Sequence, residues 1–87
     1  MSNYTNIIMI IKYKEQIELT CQRLKKAREN LGLSVKQLSE ELGSYSKREV
    51  LKIEKAKYEP TLQYLYDFCK YINIKIVNII EPYTKKK

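Results

Sequence analysis

Ser34-Val35-Lys36-Gln37-Leu38-Ser39-Glu40-Glu41-Leu42-Gly43-Ser44-Tyr45-Ser46-Lys47-Arg48-Glu49-Val50-Leu51-Lys52-Ile53-Glu54-Lys55 is the stretch on which the fold turns. Within it Val35, Leu38, Ser39 and Leu42 share one face at helical spacing, behind Ser34 as an N-cap. Gly43 then closes the first short helix, free to take the positive φ of a helix end. Ser46-Lys47-Arg48-Glu49 reads as a capping box, with Ser46 as N-cap and Glu49 reaching back to its amide. The second short helix buries Val50 and Ile53 and runs to about Lys55. Two such helices around a tight Gly43-Ser44-Tyr45 turn form a helix-turn-helix. Lys47 and Arg48 fall in the first turn of its second helix, and Lys52 lies one turn on from Arg48, away from the apolar anchors. A helix fits the major groove of duplex DNA with its N-terminal side chains at the base edges, so a basic outward stripe on an anchored helix suits that insertion.

Outward from this unit the pattern stays helical. From about Lys14 to Leu31, apolar residues at Ile17, Cys21, Leu24, Ala27 or Arg28, and Leu31 form a stripe, ended by Gly32. After the unit, Pro60-Thr61 opens another helix, with Thr61 capping and Leu62, Leu65, Phe68, Cys69 and Ile72 inward. The tyrosines at 64, 66 and 71 read as amphipathic rim residues of that helix. The ends are ambiguous. Ile72 to Ile80 alternates over Ile72, Ile74 and Ile76 and fits a strand or a short final helix, while isoleucine enrichment leans Ile7 to Ile11 towards a strand. The chain thus divides into an apolar extension over 1–13, a helix-turn-helix domain over 14–81 and a basic tail over 82–87. The fold class is mainly α, four to five helices, with short strands at the two ends as the open alternative.

Composition narrows the function. The 87 residues carry 17 Lys and Arg against 10 Asp and Glu, a formal net charge of +7 that favours a polyanionic partner. Positive charge gathers in residues 1–30, in 44–58 and in the tail Lys85-Lys86-Lys87. There is no histidine, so the commonest general base and the Ser-His and Cys-His triads are excluded. The carboxylates are scattered and the two cysteines sit on apolar stripes, which reads against an enzyme, a metal site or any cofactor. No apolar run reaches the roughly 20 residues a bilayer requires, and Ile7 to Ile11 lacks the flanks of a secretory signal. The expected compartment is the cytoplasm, with reduced thiols.

Residues 24 to 80 resemble the lambda-repressor/Cro-type (Xre family) helix-turn-helix proteins. The matching motifs are Leu24-Lys25-Lys26-Ala27-Arg28, Leu31-Gly32-Leu33-Ser34, Leu38, Leu42-Gly43, Val50-Leu51-Lys52-Ile53-Glu54, Pro60-Thr61-Leu62 and Leu65. The resemblance implies a lambda-repressor-like fold and a sequence-specific double-stranded DNA-binding regulator, usually a dimeric repressor. By position it implies that Lys47, Arg48 and Lys52 read bases. It also implies that Ser34, the Val35 amide, Lys25, Lys55 and Lys57 touch phosphates, and that Arg28 and Glu54 form a partly buried ion pair. Tyr45 in the turn is a further phosphate candidate on its own chemistry. Four departures stand out: one extra residue before Ser46, Val35 where glutamine is frequent, Ala56 where a C-cap glycine is common, and Lys75 at the N-cap of the last helix. The last of these favours a strand ending, similar to HipB-type antitoxins, which would make a toxin protein an alternative partner.

One helix-turn-helix reads only a few base pairs, so specificity calls for two recognition helices about 34 Å apart on DNA. The leading homodimer surface is Ile72 to Ile80, through Ile74, Ile76, Val77, Ile79 and Ile80, which is more apolar area than so small a domain readily covers. Ile7 to Ile11 is the fallback. The plain alternative is that both runs pack on their own subunit.

Overall fold

A computed structural model describes residues 3–76 and 78–80 of the chain, with side chains from Lys12 onward. The elements are α1 (Asn3–Asn30), α2 (Val35–Leu42), α3 (Lys47–Glu54) and α4 (Leu62–Ile72), followed by a helical turn at 78–80. No strand occurs among the described residues. α1 starts at Asn3 rather than near Lys14, so the run Ile7 to Ile11 is helical and the strand leaning is corrected. The reason is cooperative. No glycine or proline lies between Asn3 and Leu31, and adding a turn to an existing helix gains a hydrogen bond per residue without a new nucleus.

Caps set the short helices where the serines predict. Ser34 Oγ accepts from Gln37 N at 3.0 Å while Gln37 Oε1 accepts from Ser34 N at 2.8 Å. The same reciprocal pair joins Ser46 and Glu49 at 3.0 and 2.8 Å. Gly43 at φ 81° gives α2 its left-handed C-cap, donating to Ser39 O. These positions leave Leu38, Val50 and Ile53 buried with Cys21 and Leu24 of α1 and with Tyr64, Phe68, Cys69 and Ile79.

Four inward or outward assignments change. Tyr64, expected on the rim, is fully buried, edge-on to Tyr45 at 4.9 Å between ring centroids and tilted on Phe68 at 6.0 Å. Leu62, expected inside, is 76% exposed at the first position of α4, and Leu31 is 52% exposed just past the end of α1. After α4, Asn73 turns the chain at φ 62°. Asn78 N then donates to Lys75 O at 2.9 Å and Ile79 N to Ile76 O at 3.0 Å. The ending is therefore a helical turn despite Lys75, which corrects the strand reading. Ile79 is only 3% exposed and packs against α1, so it belongs to its own subunit's core rather than to a dimer surface. Ile74, Ile76 and Ile80 are half-buried against the same core. Val77 and the tail 82–87 lie outside the described residues.

Ala56 carries a backbone cost. It sits at φ 60°, past the end of α3, where its amide donates to Ile53 O at 2.9 Å. A Cβ in the left-handed region costs roughly 1–2 kcal/mol, part of which glycine's greater freedom in the unfolded chain gives back. Ala56→Gly is expected to stabilise the fold by about 1 kcal/mol. Urea unfolding checks this, and a lower midpoint for the variant would refute it.

The buried acids set an alkaline limit. Burial pushes the Cys21 thiol up to about 11 from 9.0 and the Tyr45 phenol up to about 12 from 10.0, and it raises Tyr64 as well. In each case the folded state favours the neutral form. The stability is therefore complete below the unfolded values and is lost as pH climbs through the folded ones. Unfolding free energy should fall from about pH 9 upward. The Tyr64 hydroxyl is buried with no hydrogen-bond partner among the described residues. Tyr64→Phe should thus be at least as stable at pH 7 and should decline less in alkali. A wild-type profile level between 9.0 and about 12 would contradict the alkaline limit, and a Tyr64→Phe protein less stable than wild type at pH 7 would contradict the second statement.

Candidate nucleic-acid interface

α3 is the element that positions the basic side chains. Val50 and Ile53 anchor it in the core, and its Ser46 cap fixes where it begins. Lys47 and Arg48 are consequently exposed in its first turn. Neither has an ion-pair or hydrogen-bond partner among the described residues, which leaves the Arg48 fork open. Glu49 shares that turn, but its Oε1 is occupied by the Ser46 amide. Lys52 is half-buried, its ammonium 5.4 Å from the centroid of the Tyr58 ring. The Lys52 carbonyl accepts from the amides of Lys57 at 2.8 Å and Tyr58 at 3.3 Å, folding the segment after α3 back onto its last turn. Lys55 and Lys57 are exposed on that fold-back. Tyr58 was not read from the sequence as part of the site. A tyrosine six residues beyond Lys52 has no helical relation to it, and only the return of the chain brings the two together.

Ser34 is exposed and Val35 half-buried at the start of α2, and Lys25 is exposed on α1. Tyr45 behaves differently from its expected phosphate role. Its hydroxyl donates to Asp67 Oδ2 at 2.9 Å, and Gln63 Nε2 donates to the other oxygen of that carboxylate at 2.9 Å. Its backbone carbonyl accepts from Ser39 Oγ at 2.7 Å. The longer turn is thereby tied to α2 on one side and α4 on the other, and a carboxylate stands where a phosphate would have met the phenol.

Behind the basic face, Arg28 and Glu54 form a fork, Nε to Oε2 at 2.7 Å and Nη2 to Oε1 at 2.9 Å, both residues 8% exposed. Arg28 Nη1 donates to Leu33 O at 2.6 Å. The hydrogen bonds to Glu54 hold the guanidinium proton more tightly than usual, against the opposing effect of burial. One side chain thus joins α1, the loop before α2, and the end of α3. Among the described residues no group of histidine, cysteine or acidic side chains is placed to hold a metal, and no helix is long and apolar enough to cross a membrane.

A protein-family model, described as helix-turn-helix, matches residues 24–78, the span that includes the last turns of α1 and all of α2, α3 and α4. No curated protein and no solved structure matches the chain.

Proposed function

Because the chain belongs to this helix-turn-helix family of DNA-binding regulators, we propose that it is a sequence-specific transcriptional repressor acting as a homodimer on a palindromic operator in the cytoplasm. The observation that carries the reading is the exposed Lys47 and Arg48, without a partner among the described residues, in the capped first turn of α3, on the side opposite the buried Val50 and Ile53. Lys47, Arg48 and Lys52 read base edges. The amide of Val35 with Ser34, and the ammonium groups of Lys25, Lys55 and Lys57, meet phosphates on either side. Tyr45 is left out of this set, since its hydroxyl is committed to Asp67. Selection of bound sites from random duplex DNA tests the proposal. An enriched inverted repeat supports it, and a pool without any consensus overturns it.

Phosphate contacts and base contacts separate by their salt dependence. Lys57→Ala is expected to weaken binding to every duplex alike and to reduce the slope of log K against log salt by about one unit. Titrations at several salt concentrations, on a selected and a scrambled duplex, measure both quantities together. An unchanged slope removes Lys57 from the phosphate contacts.

A further inference from the structure

Lys52 is the half-buried member of a basic set that is otherwise exposed: Lys47, Arg48, Lys55 and Lys57 all face solvent. It stands one turn on from Arg48, and like charges at that spacing repel. Its ammonium has no carboxylate partner among the described residues and lies instead 5.4 Å from the centroid of the Tyr58 ring. The chain on both sides of the ring sets it there. The Tyr58 amide donates to the carbonyl of Lys52 itself, at 3.3 Å, after Ala56 at φ 60° has turned the backbone. On the other side Glu59 accepts from the Tyr13 hydroxyl of α1, and Pro60 is buried. Tyr58 is nonetheless 48% exposed, so much of it is not spent on the core.

An aromatic face holds a cation differently from a carboxylate. It attracts the ammonium without neutralising it and leaves N–H donors free for another acceptor. A lysine side chain also carries rotamer freedom that a base contact must remove, and a ring that restrains it beforehand lowers that cost. We propose that Tyr58 is a positioning residue for base reading: its ring fixes where Lys52 presents its ammonium to DNA, and so sets part of the sequence preference without touching a base itself. This role rests on the DNA-binding reading above and adds to it a residue outside the recognition helix.

Titrations of a selected and a scrambled duplex test the ring. Tyr58→Leu keeps an apolar side chain but no aromatic face, so it should weaken binding to the selected duplex about two- to five-fold. Binding to the scrambled duplex should not change, because Lys52 stays charged. Tyr58→Phe keeps the ring and should keep the wild-type affinity ratio. In a Lys52→Ala background Tyr58→Leu should have no further effect, a coupling that a merely structural tyrosine would not show. The free protein gives a reading independent of DNA. The side-chain proton resonances of Lys52 should be shifted upfield by the ring in the wild type and in Tyr58→Phe, and not in Tyr58→Leu. A Tyr58→Leu ratio equal to or above that of the wild type overturns the positioning role. So does a Tyr58→Phe protein as poor as Tyr58→Leu, an undiminished loss in the Lys52→Ala background, or a wild-type Lys52 without the upfield shift. A wild-type chain with no preferred duplex, its Lys52 resonances still shifted, overturns the DNA reading itself and this role with it.

Discussion

Glu54→Ala is expected to cost about 3–5 kcal/mol, because among the described residues it leaves the buried Arg28 guanidinium with the Leu33 carbonyl as hydrogen-bond acceptor and the largely solvated Glu29 carboxylate 3.9 Å away. In a domain of this size that loss approaches the whole folding free energy. The effect should reach beyond stability. Among the described residues Arg28 is the side chain that bonds both to the end of α3 and to the loop before Ser34, so without Glu54 the recognition helix keeps its apolar packing on α1 but loses its polar link to it. Arg28→Met combined with Glu54→Leu should be far less damaging than either single loss, since a buried pair exchanged for apolar side chains of similar size leaves no uncompensated charge. Wild type, Arg28→Met, Glu54→Leu and the double variant, melted by circular dichroism, measure the coupling. A Glu54→Ala protein with the wild-type melting temperature would show that the fork contributes nothing.

What could be read from the sequence was what is written locally. Ser46 and Glu49 sit three residues apart and cap their own helix, so α3 and its exposed basic turn are legible without the rest of the molecule. The same holds for Ser34, Gly43 and Thr61. Arg28 and Glu54, 26 residues apart, were found by their positions in a family pattern, since no local rule links them. Tyr64 was missed because Tyr64, Tyr66 and Tyr71 look alike in composition, and only the packing of Tyr45 and Phe68 selects one of them for the core. The N-terminal run was misread for a different reason. Five consecutive apolar residues have no period, so isoleucine preference suggested a strand, whereas continuity with the Lys- and Glu-rich helix that follows decides for α. Tyr45 shows how a site residue escapes such reading. Its hydroxyl is taken by Asp67, 22 positions away, and nothing near Tyr45 in the sequence announces that partner.

Arg48→Ala should collapse discrimination between operator and random DNA while leaving the fold intact. Arg48 is exposed, has no partner among the described residues, and occupies the second position of α3, where a side chain at a groove-bound helix N-terminus reaches furthest towards base edges. A guanidinium fork on the O6 and N7 of guanine is worth about 1–3 kcal/mol of discrimination, so the affinity ratio should fall by roughly ten- to a hundred-fold. Arg48→Lys separates geometry from charge. Lysine retains the positive charge and hence most of the affinity for random duplex, but an ammonium cannot make the paired bonds, so its specificity should drop nearly as far as that of the alanine variant. Lys57→Ala gives the opposite signature, a uniform loss with the ratio kept. The contrast between the two variants is what assigns base reading to the first turn of α3. If Arg48→Ala keeps the wild-type ratio, the guanidinium is not reading bases, and the neighbouring Lys47 becomes the side chain to test at that position.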